Sequence, residues 1–175
     1  EDQTSQNRIS EMRKSGLNIM MSMKSEAKPV SFVEDCAVPL PNLAEYTQGL
    51  TDIFQKHQTS GTWYAHASVG CLHVRPILNM KDSNDIKKMR AIATEAFELV
   101  KKFNGSHSGE HGDGISRSEF NPVMIGKKLT NAFREIKNLM DPNGILNPGK
   151  IVDSPKMDDR QLFRFSPGYS VNDFQ

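Results

Sequence analysis

The sequence predicts an α+β domain, an antiparallel sheet with its helices on one face, followed by an extended C-terminal tail. Three observations point there. Strand-like residues fill 28–38 and 62–78, apolar residues recur at helical spacing over 42–57 and about 84–103, and the chain turns polar and proline-punctuated after Asn147-Pro148-Gly149. Strand, helix, two strands, helix is the order of one α+β unit, and no internal repeat is visible.

The chain opens Glu1-Asp2-Gln3, polar and without a helix start signal, so residues 1–27 are expected to be a connecting segment that enters the domain. A start without methionine reads as an excised piece of a longer chain. Residues 28–38 alternate Val30, Phe32, Cys36 and Val38 on one face between prolines, the pattern of one strand, with Glu34 interrupting that face. From Asn42 to His57, Leu43, Tyr46, Leu50, Ile53 and Phe54 form an apolar stripe, with Asn42 as cap and Glu45 three residues on. Residues 62–78 read as two strands joined by a turn at Val69-Gly70. A second helix, about 84–103, carries Ile86, Met89, Ile92, Ala96, Phe97, Val100 and Phe103 and stops at Asn104-Gly105. Gly105 to Gly114 is a loop by composition. A third helix, 126–140, presents Leu129, Phe133, Ile136 and Met140 and ends at Asp141-Pro142-Asn143-Gly144. The domain proper is thus expected over 28–140, and residues 141–175 form a tail with exposed-looking aromatics Phe163, Phe165 and Tyr169.

Charge excludes some functions. The 22 Lys+Arg nearly cancel the 21 Asp+Glu, and no basic block interleaves with aromatics, so no nucleic acid is expected as a partner. The run Leu17 to Met23 is broken by Asn18 and Ser22 and is too short for a transmembrane segment. Two cysteines, Cys36 and Cys71, form no Cys-x-x-Cys pair, which leaves a disulfide framework, a zinc ribbon and an iron–sulfur cluster within this chain unsupported. A reducing cytoplasm is the expected compartment.

His66 and His73 flank the turn. On one straight strand an odd separation would put them on opposite faces, but in a hairpin they become cross-strand partners. Their Cβ atoms would then lie roughly 4.5–5.5 Å apart, able to share a divalent ion at about 2.0–2.1 Å. On spacing alone, two satisfied histidines beside a turn are the commoner arrangement. Glu110-His111 sits in the glycine-rich loop, where Glu110 can complete a His-His-Glu set and His111 stays free as a general base; taken alone, such a segment is more often just a loop. Arg13, Lys24, Lys28 and Arg75 are candidates for holding a carboxylate. Arg75 is placed best, two residues after His73 and so on its face.

Together these segments resemble a known family. Residues 65–73, Ala-His-Ala-Ser-Val-Gly-Cys-Leu-His, are similar to the His-turn-His segment of the C-terminal half of flavin-linked oxidases acting on D-lactate, glycolate and D-2-hydroxyglutarate. Ser108-Gly109-Glu110-His111-Gly112 is similar to their Glu-His segment, and residues 141–150, Asp-Pro-Asn-Gly-Ile-Leu-Asn-Pro-Gly-Lys, to their closing motif; the likeness runs from Arg13 to about Tyr169. It implies a vanillyl-alcohol-oxidase-like flavoprotein in which a flavin domain precedes a ferredoxin-like cap. His66, His73 and Glu110 match the ligands of a zinc- or manganese-like ion, His111 the base, and Arg13 the arginine that receives a substrate carboxylate. Asn147, Gly149 and Lys150 of the closing motif fall on the cofactor side. Residues 157–165 resemble the long bacterial branch, where an iron–sulfur region follows in the parent protein, and that branch points to D-2-hydroxyglutarate.

In one departure, Ser68-Val69-Gly70-Cys71 stands where the family commonly has Gly-Asp-Gly-Asn; this turn lacks a polar group for the substrate, and Arg75 is expected to serve in its stead. The resemblance therefore implies a C-terminal fragment of an FAD-dependent oxidoreductase that oxidises a small D-2-hydroxyacid to the 2-oxoacid. The FAD would be held mainly by a flavin domain of the same parent chain, to which the tail 141–175 is expected to return, so the fragment alone should be inactive. A cytoplasmic location, with peripheral attachment to the inner membrane as a variant, is expected. The alternatives are a metal-dependent hydrolase using the same residues and a non-catalytic ferredoxin-like binding module.

Overall fold

Strand β4 (Cys71–Leu78) forms the middle of the sheet, and the other strands pair with it antiparallel. On one edge lies β3 (Gly61–His66), with His66 opposite Cys71 and Tyr64 opposite His73. Along the other edge lie, end to end, β1 (Lys28–Pro29), pairing with Leu78 and Ile77, and β2 (Cys36–Ala37), pairing with Leu72 and Cys71. The structure, a computed structural model, describes residues 2–165.

The single strand expected over 28–38 is thus two short strands, for a reason visible in the register. Seven residues lead from Pro29 to Cys36, while five lead between their partners Leu72 and Ile77. Two extra residues bulge out of the edge. The ladder survives on both sides, through Val30 N–H to the Pro76 carbonyl and Asp35 N–H to that of Leu72, both 2.8 Å. Asp35 takes up the excess in the left-handed region at φ 77°, where a non-glycine residue carries strain of order 1–3 kcal/mol. Strict alternation is lost, and Phe32, Val33, Glu34, Asp35 and Cys36 are all buried.

Helices α2 (Leu43–Lys56) and α3 (Ser83–Lys102) pack together over the sheet. Tyr46, Leu50 and Phe54 of α2 meet Ile86, Met89, Ile92, Ala96, Phe97 and Val100 of α3 in one core with Val74 and Leu78 of β4. The apolar stripes read from the sequence are the ones buried. Asp82 caps α3 through Asn84 N–H, and Asn104, at φ 54°, ends it with Gly105 N–H bonded to the Val100 carbonyl, a C-terminal turn of the Schellman type. The expected cap of α2 fails: the Asn42 side chain makes no capping bond, and a 3-10 turn over Leu40–Asn42 leads in instead.

After α3 the chain bonds back to β2 at one isolated bridge, Ala37 with Ser106. This is the position of the last strand in a ferredoxin-like βαββαβ unit, reduced to a single pair. Gly105 is required there, because a Cβ would stand 2.4 Å from the Ala37 carbonyl. Short helices α4 (Gly114–Arg117) and α5 (Asn121–Met124) then lead into α6 (Lys127–Met140).

Two segments differ from expectation. Residues 1–27 contain α1 (Gln3–Met21), started by Asp2, whose carboxylate accepts from the N–H of Thr4 and Ser5 at 3.0 and 3.1 Å. A polar N-terminus thus concealed an Asp cap. The tail also returns to its own domain: Val152 and Met157 are buried, Met157 N–H donates to Glu119 at 2.9 Å, and Phe163 packs on the core. Phe165 is half-buried rather than exposed, and Tyr169 lies outside the described residues.

Candidate metal and substrate site

At the bulge the sheet meets the Gly105–Gly114 loop, and Asp35 ties the two together. Its buried carboxylate accepts from the N–H groups of Gly109 (2.9 Å), Glu110 (2.9 and 3.0 Å) and His111 (2.8 Å). Burial alone would raise its pKa, but the His111 and Glu110 N–H groups outweigh it and hold the carboxyl below its usual range. Gly109 N–H also reaches the Asp35 carbonyl at 2.7 Å. Backbone amides of a flexible loop are thereby fixed to one point of the sheet edge.

Held in this way, Glu110 meets the histidines. Its Oε1 lies 2.9 Å from His73 Nε2, 3.2 Å from His66 Nε2 and 3.5 Å from His111 Nε2. His66 and His73 do converge, but diagonally rather than as the directly opposed pair expected, because the turn is centred one residue earlier and pairs His66 with Cys71 and His73 with Tyr64; their ring centroids are 5.0 Å apart. His73 is buried between two flat neighbours, Tyr64 at 5.8 Å and the parallel ring of His111 at 4.6 Å. Burial, and then the neighbouring His111, push its pKa below the ordinary histidine value, which favours the neutral imidazole.

These residues fit a metal. Two ligand atoms on one tetrahedral ion with bonds near 2.0–2.1 Å stand roughly 3.3 Å apart, and neutral imidazoles with a carboxylate are a zinc donor set. The ligand atoms of Asp35, His73, Glu110 and His111 also cluster within 4.8 Å. Asp35 is already bonded to the loop amides and serves as scaffold; His111 belongs to that cluster and His66 does not, although His66 Nε2 also lies near Glu110 Oε1, so His66, His73, Glu110 and His111 are all candidate ligands. The thiols do not compete: burial pushes Cys36 up to about 12 and Cys71 up to about 11, and both stay protonated.

A hollow of about 260 Å³ opens over this cluster, lined also by Arg13, Met20, Tyr64 and Arg75. Arg13 reaches it from α1, with its guanidinium 4.7 Å above the Tyr64 ring. Arg75 lines it from β4 on the face of His73, as expected, but its Nε is engaged by Glu34 Oε2 at 2.5 Å. Lys28 donates to the Met23 carbonyl, and Lys24 is exposed; neither lines this hollow. Asn147, Gly149 and Lys150 are not brought here. Asn147 and Lys150 line a separate depression with Phe133, Ile136 and Met140.

Sequence reading missed Glu34, Asp35 and Tyr64. The signal was present in two consecutive acids inside an apolar strand-like run, where an unpaired charge would be costly. Only the bulge shows that both turn toward the site.

Comparison with known proteins identifies the family of the chain. Residues 1–151 match the family model for the C-terminal domain of FAD linked oxidases. The chain is 40% identical over 144 residues to a D-2-hydroxyglutarate dehydrogenase of Pantoea ananatis, covering 82% of this chain and 14% of that protein. It is 37% identical over 155 residues to one of Escherichia coli, covering 86% and 15%. The glycolate oxidase subunit GlcD of Bacillus subtilis is 28% identical over 143 residues, covering 82% and 30%. The chain therefore spans only about a seventh of the length of these two dehydrogenases.

Proposed function

Because this chain belongs to the FAD-linked oxidases, as a C-terminal domain of that family, we propose that it supplies the substrate half of a flavin-dependent D-2-hydroxyacid dehydrogenase. Its reaction would be oxidation of the hydroxyacid to the 2-oxoacid. The observation that carries this reading is the meeting of three imidazoles on one oxygen of Glu110, beneath a hollow flanked by two arginines. Relatives named for D-2-hydroxyglutarate favour that diacid over lactate or glycolate.

His66, His73 and Glu110 would hold a zinc- or manganese-like ion, which supplies Lewis acidity toward the substrate's carboxylate and 2-hydroxyl, while a flavin accepts the electron pair. The chain's own residues do the remaining work. Arg13, resting on Tyr64, presents its guanidinium to a carboxylate. His111, at the rim of the hollow, takes the hydroxyl proton through Nε2.

The flavin domain would be another part of the same parent chain, and α6 supports a place for it. Leu129, Phe133, Ile136 and Met140 form an exposed apolar stripe, continued by Ile145 and Leu146. Such a contiguous patch is normally covered, and it borders Asn147 and Lys150, proposed to face the cofactor with Gly149. Any iron–sulfur cluster would also belong to the parent outside this chain. No helix among the described residues is long and apolar enough to cross a membrane; a cytoplasmic location, at most peripheral to the inner membrane, is proposed.

The test is the full-length parent, purified anaerobically with its flavin spectrum recorded. D-2-hydroxyglutarate should bleach the flavin, and a chelator should prevent the bleaching. A parent whose flavin none of D-2-hydroxyglutarate, D-lactate and glycolate reduces would overturn the proposal.

A further inference from the structure

We infer that Glu34 is a positioning residue for His111, helping to hold the imidazole with its Nε2 edge toward the hollow. This rests on the reading of His111 as the general base.

Four contacts act on His111, and three come from groups already given a role. Its backbone is fixed by the N–H bond to Asp35 at 2.8 Å. Its ring plane is fixed by stacking on His73, with 6° between the planes. Stacking cannot choose between the two ring orientations related by a half-turn, because both leave the rings parallel. One orientation presents Nε2 to the hollow and the other presents carbon. Two carboxylates make that choice: Glu110 Oε1 lies 3.5 Å from Nε2, and Glu34 Oε1 lies 3.4 Å from Nδ1 and holds the ring from its other edge.

Glu34 is itself held firmly enough to direct a neighbour. It is buried, its other oxygen Oε2 receives Arg75 Nε at 2.5 Å, and its own carbonyl accepts from Arg117 Nη1 at 2.6 Å. The Arg75 ion pair keeps a negative charge on a buried carboxyl that would otherwise neutralise. The two-residue bulge makes this possible: it turns Glu34 off the alternation of an ordinary strand and toward the loop. Carboxylate–imidazole pairing of this kind orients a base without touching substrate.

The experiment is a double-substitution cycle in the full-length flavoenzyme, read as the limiting rate of flavin reduction by D-2-hydroxyglutarate, its half-saturation, metal content and Tm. Glu34→Gln should slow flavin reduction by roughly 10–100-fold, the usual effect of removing an outer partner of a site. Half-saturation and metal content should move less than about twofold. Glu34→Asp should recover part of the rate. In a His111→Gln background, itself slowed by roughly 10²–10⁴, Glu34→Gln should cost nothing further. An equal loss from Glu34→Gln with and without His111 would show that Glu34 acts elsewhere, and so would a loss carried by half-saturation, metal or Tm; either result overturns the inference. If His111→Gln leaves the rate unchanged, the base assignment itself fails, a result distinguishable from failure of Glu34 alone.

Discussion

Helices α3 and α6 carry the same kind of amphipathic pattern and come to opposite ends. In α3, Ile86, Met89, Ile92, Ala93, Ala96, Phe97 and Val100 are buried against α2 and the sheet. In α6, Thr130 is buried, while Phe133, Ile136 and Met140 are 38%, 59% and 74% exposed. Asp141 sharpens the contrast: it accepts from the N–H of Ile145 and Leu146 at 3.0 and 2.9 Å and from Lys137, folding the closing motif so that both apolar side chains face outward beside α6. The core closes without α6. An apolar stripe shows that a helix has a partner, but not that the partner lies within the same domain.

The largest expected effect tests the α3 side. Phe97→Ala should destabilise this chain by about 3–5 kcal/mol, because Phe97 packs against Phe120 and His107 inside the core; urea unfolding measures it, and a small effect would mean that α3 is not the core helix. Next comes Asp35→Asn, expected to cost about 1.5–3 kcal/mol through weakened bonds to three amides and to lower metal content with it. The sign with pH follows. The folded-state pKa of Asp35 is depressed, so its contribution is fully present above the ordinary carboxylate value and is lost as pH falls through the folded value. Acid titration of Asp35→Asn should therefore show a shallower loss of stability below about pH 4 than the unsubstituted chain shows.

Ile136→Lys sharpens the comparison from the α6 side. In the full-length protein it should cost about 1.5–2 kcal/mol if this face is covered, seen as a lower Tm or weaker flavin retention. The smallest effect is the same substitution in this chain alone, within about 0.5 kcal/mol, as expected of a position 59% exposed. Equal effects in both settings would remove the distinction between the two helices.

Much of the fold was legible because α2, α3 and the hairpin use one-sided patterns that local geometry converts directly into a buried face. Helix α1 was not, since its stripe is weak and its start rests on a single Asp cap. The interrupted edge strand was misread for a different cause. Alternation assumes one residue per partner, and a two-residue excess breaks that assumption without leaving a compositional mark. In the site, His66, His73, Glu110, His111, Arg13 and Arg75 were all named from sequence and all line one hollow. Their supports, Asp35 and Glu34, were not, because each works through partners more than forty positions away.

By itself, then, the sequence determined the α+β class, the two core helices, the hairpin and the histidines, glutamate and arginines that line the hollow, since these depend on periodicity and short-range chemistry. Tertiary structure alone decided that the histidines meet diagonally, that two adjacent acids turn inward at a bulge to fix the loop and the imidazole, and that the stripe of α6 stays outside. Those outcomes depend on register and on contacts between distant segments, where one shifted residue pair changes which face a side chain occupies.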